Sequence, residues 1–179
     1  MDVGQHVLEN TIGVFKNYKS LAEKAFEQLT HDVNFHYQPD PESNSIAIIV
    51  QHISGNMISR WTDFLTTDGE KPDRNRDKEF EENKFNKQEL LQIWDKGWNV
   101  FFKTLDSLTQ ADLLKIVTIR NEELTVYQAL NRQTAHYAYH IGQIVFLAKH
   151  IQSANWRSLS IAKSKSTEHL KGNYLNNLK

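Results

Sequence analysis

Residues 131–151 read NRQTAHYAYHIGQIVFLAKHI, and the apolar spacing in this stretch decides the fold class. Leu130, Tyr137, Ile141, Ile144 and Ala148 recur at intervals of three, four and seven residues, so they share one face of an α-helix. Beside that stripe runs a narrower strip of Gln133, His136, His140, Gln143 and Leu147. Thr125 is a candidate N-cap, and the helix is expected to run from Val126 to about Ile151.

Working outward, three more segments carry the same period. Gly4 to Leu29 places Val7, Leu8, Ile12, Phe15, Tyr18, Leu21, Ala22, Ala25 and Phe26 on one stripe. A second helix, capped by Ser43, Asn44 or Ser45, carries Ile46, Ile49, Val50, Ile53, Met57, Trp61 and Phe64 and is expected to end near Thr66. A third, capped by Asn86, presents Leu90, Leu91, Trp94, Trp98, Phe101, Phe102 and Leu105. The chain's 3 prolines all fall in the polar stretches between helices, Thr30 to Asn44 and Thr67 to Phe85. The first is a loop holding both prolines of Pro39-Asp40-Pro41, and the second, dense in charge and too long for a tight turn, is a crossover or an active-site rim. Ile116 to Ile119 and Leu124 to Val126, around Arg120-Asn121-Glu122-Glu123, are expected to form a small β-hairpin. The expected fold class is therefore all-α: a four-helix bundle over residues 1–155, with 156–179 a partly disordered tail. Trp94, Trp98, Phe101 and Phe102 exceed what one face of a small bundle usually buries, which points to a homodimer interface.

Composition narrows the chemistry. The 21 basic and 22 acidic side chains of the 179 residues leave no basic excess to attract nucleic acid. Cysteine is absent, so disulfides, thiolate metal sites and a cysteine nucleophile are excluded, and any metal site must use nitrogen and oxygen. MDVGQHVLEN has no basic n-region or long apolar segment, and no run of apolar residues is long enough to span a bilayer, so a cytoplasmic protein without a membrane partner is expected.

Of the 8 histidines, His6, His31, His36, His150 and His169 have no informative spacing. His136 and His140 lie one turn apart on one helix face, which lets two imidazoles reach one ion. His52 occupies the matching strip of the second helix with Ser45, Asn56, Ser59 and Asp63, so it faces the pair if the helices pack side by side. Three imidazoles with open coordination positions suit zinc or nickel; magnesium and calcium prefer oxygen. The alternative is three partly buried histidines bonded to their neighbours.

The runs IIVQHISGNMISRWTDFLTTDGEKPDRNRDKEFEE, residues 48–82, and NRQTAHYAYHIGQIVFLAKHI resemble the DinB/YfiT-like superfamily, and the likeness extends over roughly residues 4–160. The resemblance implies a bundle with long crossover loops, a single metal on His52, His136 and His140, and frequent homodimers. It also implies, for some relatives, S-transferase or isomerase chemistry with small thiols such as bacillithiol or mycothiol. A metal-bound thiol needs no protein nucleophile, which agrees with the absence of cysteine. Gln143, Asn56 and Arg60 are the candidate catalytic residues, the two amides as orienting groups. Arg60, Arg74 and Arg76 are candidates for gripping the carboxylates of a thiol cofactor, unless they only solvate a crossover beside Asp73, Asp77 and Glu79. Asp63, Asp68 and Glu70 form an acidic rim able to supply a general base. A non-enzymatic metal-binding or stress-related homodimer and a metal-dependent hydrolase are the competing functions.

Overall fold

Each long helix starts at a side chain that satisfies a free backbone N–H. In the computed structural model, which describes residues 2–165, Asp2 accepts from the Gly4 N–H at 2.8 Å and opens α1, Val3–Gln28. Ser45 accepts from Ile48 at 3.3 Å to open α2, Ile46–Trp61. Asn86 and Glu89 form a reciprocal capping box at the start of α3, Lys87–Ser107, and Thr125 and Gln128 form another at α4, Val126–Gln152. Each cap is worth about 1 kcal/mol. No helix among the described residues is long and apolar enough to cross a membrane.

Contacts between helices give the bundle its order. Ser54 and Trp61 of α2 meet Ile93 and Thr104 of α3, so these two helices run parallel. α1 and α4 also run parallel: Gly4 and Tyr127 both meet the Gln110–Leu113 segment at one end, and Gln28 bonds Arg157 just past α4 at the other. Between the pairs the helices are antiparallel, as His52 with His136 and Asn56 with Gln133 show for α2 and α4, and Phe15 with Phe101 and Phe26 with Trp94 show for α1 and α3. α1 and α2 point oppositely, and so do α3 and α4, which the long connections permit. At the α2–α3 contact a Cβ on Gly97 would lie 2.7 Å from Ser54 Cα, so only glycine allows this approach.

Phe101 shows where the core sits. Its ring centroid lies 4.6 Å from Phe15 of α1, 4.7 Å from Trp61 of α2 and 5.5 Å from Tyr137 of α4. Trp94, Trp98 and Phe101 are buried within the chain, and Phe102 is half-buried against Trp98. Three of the four aromatics that suggested a dimer contact are thus consumed internally, because α3 packs on α1 and α2 and meets Tyr137 of α4.

The hairpin pairs β1, Ile116–Ile119, with β2, Glu122–Thr125, in antiparallel register, Ile119 opposite Glu122. Arg120 and Asn121 have φ of 56° and 62°, the pair of positive values a type I′ two-residue turn requires. Asp68 of the α2–α3 crossover accepts from both turn N–H groups at 2.9 Å, and the Gly69 N–H donates to Thr118 O at 2.8 Å. The crossover is thereby pinned beside α2.

Three boundaries differ from the sequence reading, the first being β2, which starts at Glu122 inside the expected four-residue connection and ends at Thr125 because Val126 opens α4. α2 stops at Trp61 rather than near Thr66: Thr62 is extended, its hydroxyl bonds Ile58 O at 2.7 Å, and Asp63 takes a positive φ of 48°. After α4 the chain returns to the bundle, where Trp156 and Leu159 pack on the core. The rest of the expected tail, 166–179 with His169, lies outside the described residues.

Candidate metal centre

His136 and His140 sit one turn apart on α4 and face His52 across the antiparallel contact with α2. His136 Nε2 lies 3.3 Å from His52 Nε2 and 3.2 Å from His140 Nε2. One ligand atom from each falls within 4.8 Å of the others. Nitrogens bound tetrahedrally at the usual zinc distance are about 3.3 Å apart, so the donor set fits one small divalent ion. His52 and His140 are buried, and His136 is half-buried.

The far ring nitrogens determine which atoms face inward. His52 Nδ1–H donates to Glu79 Oε2 at 2.9 Å, and His140 Nδ1–H to Gln143 Oε1 at 3.0 Å, which leaves the Nε2 lone pair of each ring free. His136 is held differently. Gln133, fully buried, donates its Nε2 to His136 Nδ1 at 2.9 Å and to Asn56 Oδ1 at 3.0 Å, while its Oε1 has no partner. That places the His136 proton on Nε2, bridging toward the free lone pairs of His52 or His140. Binding an ion requires the opposite tautomer, reached if the Gln133 and Asn56 amides turn so that Oε1 accepts from Nδ1–H.

Burial pushes the His136 imidazole down to about 3, with repulsion from His140, His52, Arg60 and Arg74 adding to it. Burial pushes His140 down to about 4, helped by His52 and opposed by Gln143. Both rings are neutral at pH 7, the form that binds metal.

Glu79 is clamped from the other side. Burial would raise its carboxyl, but hydrogen bonds from His52 and Arg74 outweigh this and hold it below the ordinary range. Arg74 donates its Nε and one terminal nitrogen to Glu79 at 2.8 and 2.7 Å, and its other terminal nitrogen to Glu70 at 3.1 Å. A Cβ on Gly55 would lie 2.3 Å from Glu79 Oε1, so the bare helix surface there makes room for the carboxylate. Phe80 lies 4.6 Å from the His52 ring, and Arg76 sits 4.8 Å over the Phe80 face.

A cavity of about 190 Å³ opens beside His52 and His136, and its wall includes Arg60, Arg74, Arg76, Arg120 and Arg132. The structure therefore brings together the three histidines and the three arginines singled out in the sequence. Gln143 touches a histidine directly, whereas Asn56 acts through Gln133. The acidic rim is otherwise employed: Asp68 caps the hairpin turn, Glu70 pairs with Arg74 and Arg120, and Asp63 is absent from this cavity's wall. His36 and His150 bond Phe85 O and Tyr37 elsewhere. Gln133, Arg120 and Arg132 escaped sequence reasoning as site residues, and Glu79 entered it only as a charge beside the crossover arginines, not as the partner of His52. Gln133 alone left a signal, as a polar residue on the histidine strip.

No curated protein and no solved structure matches the chain. Residues 2–165, which take in all four helices, the hairpin and every residue of the histidine cluster, match the family described as Protein of unknown function (DUF1572), and the chain belongs to that family.

Proposed function

We propose that this protein holds one divalent transition metal, zinc or nickel, on Nε2 of His52, His136 and His140, and uses it as a DinB/YfiT-like S-transferase acting on a small thiol. The observation that carries the metal reading is the convergence of three Nε2 atoms with 3.2 and 3.3 Å separations, two of them backed by acceptors on Nδ1. Bound there, the metal supplies Lewis acidity that lowers the pKa of a thiol or water ligand. The chain's own contribution is positional. Glu79 and Gln143 fix two ring tautomers, Gln133 sets the third once its amide turns so that Oε1 accepts from His136 Nδ1–H, and Arg74 holds Glu79 in place. The adjoining cavity gives a ligand access to the histidines, which favours a reactive site over a purely structural ion. In the transfer, the thiol sulfur bonds an electrophilic carbon, its proton passes to solvent, and the leaving group departs with the electrons of its bond.

Two assays test this reading. Zinc or nickel titrated into metal-free protein should bind at about one ion per chain. Metal-loaded protein should accelerate attack of a thiol such as bacillithiol on a model electrophile, and His52→Ala should abolish the acceleration. Equal rates with loaded, metal-free and His52→Ala protein would reject the transferase. Ester hydrolysis without thiol would put the hydrolase in its place, and a metal that raises only the melting temperature would favour a structural ion in a homodimer or monomer.

A further inference from the structure

Five guanidiniums from four separate parts of the fold reach one cavity. Arg60 comes from α2, Arg74 and Arg76 from the crossover, Arg120 from the hairpin turn and Arg132 from α4. The carboxylates paired with these groups at the cavity are Glu70 and Glu79, with Glu122 reaching Arg132 from the exposed hairpin strand. Arg74 is spent on Glu79 and Glu70. Arg120 donates its Nε to Glu70 at 3.0 Å, but the remaining three are not satisfied in this way. Arg60 is 5% exposed, its nearest carboxylate contact is 3.8 Å from Glu70, and its buried Nε has no partner. Arg76 makes no ion pair among the described residues, only its contact with Phe80. Arg132 reaches Glu122 at 3.6 Å.

A buried guanidinium with unmet donors is costly unless something else supplies the acceptors. Its fork matches the paired oxygens of carboxylate and phosphate, and low-dielectric walls strengthen the attraction. The recess is too small and the net charge of −1 too unfavourable for a nucleic-acid strand.

We propose that this cavity is a receptor for a small oxyanion, a polycarboxylate or a phosphoryl compound, held by Arg60, Arg76 and Arg132 with its other end facing His52 and His136. The proposal deepens the metal reading by naming the substrate's charge class. It rests on that reading only for the position of the reacting end.

The test uses the full chain, free of metal and at constant ionic strength, titrated calorimetrically with succinate, inorganic phosphate and acetate. Succinate or phosphate should bind saturably and more tightly than acetate, and whichever is tighter assigns the carboxylate or phosphoryl chemistry. Arg76→Ala and Arg132→Ala should each weaken binding roughly tenfold, and Arg60→Gln should abolish it. If Arg60→Gln fails to fold, the two rim variants decide. Failure of both succinate and phosphate to bind, or unchanged binding in the Arg76→Ala/Arg132→Ala double variant, overturns the proposal. Metal uptake by the same samples separates the two readings. Anion binding in a protein that takes up no metal supports the receptor and rejects the metal, whereas metal uptake without anion binding does the reverse.

Discussion

Glu79 Oε2 accepts a hydrogen bond from His52 Nδ1 at 2.9 Å, although the two residues lie 27 apart in sequence. This contact fixes the His52 tautomer, and Arg74 and the bare surface at Gly55 hold it in place. Replacing Glu79 with Ala should weaken metal affinity about 10- to 100-fold while circular dichroism stays helical. Arg74→Ala should act in the same direction, since it leaves Glu79 without its fork partner. Competition with a chromophoric chelator reads both effects.

Gly55→Ala offers a sharper version, because the added methyl would drive the Glu79 carboxylate away from His52 without removing a functional group. Metal affinity should fall while stability changes little. Gly97→Ala is the contrast: its Cβ would meet Ser54 backbone, so it should cost about 1–3 kcal/mol in urea unfolding.

Gln133→Leu removes the amide that bonds His136 Nδ1 and leaves Asn56 Oδ1 without one of its donors. The His136 ring then loses its orienting partner. Metal affinity should drop by about tenfold or more, with a smaller loss of stability from the severed Asn56 contact.

The depressed histidines set a pH dependence. His136 titrates at about 3 and His140 at about 4 in the folded chain, against 6.5 when unfolded. Between those values the unfolded chain binds more protons, so stability conferred by the neutral rings is complete above about pH 7 and is lost as the pH falls toward 4 and then 3. The metal-free melting temperature should decline over that window. His136→Phe should flatten the decline, and an unchanged profile would contradict the placement of a neutral, buried His136.

Much of this was legible in the sequence because it is local. Caps lie within three residues of the groups they satisfy, and the 3.6-residue period marks each helix without knowledge of its neighbours. His136 and His140 were readable for the same reason, being one turn apart, and His52 followed from its place on the matching strip of α2. Glu79 was not, because only the crossover's path, pinned by Asp68 on the hairpin turn, carries it back to His52. Arg120 and Arg132 were hidden likewise. That Trp94, Trp98 and Phe101 are buried within the chain was not legible, because one helix's period cannot reveal that α3 packs this face against α1, α2 and Tyr137 of α4.

The central claim is tested most directly by elemental analysis of the purified full chain together with zinc and nickel titration at neutral pH. One divalent ion per chain is expected in the wild type, with none retained by a folded His136→Ala or His140→Ala variant. A wild type that neither carries nor takes up an ion, or histidine variants that bind it as tightly as the wild type, would contradict the account.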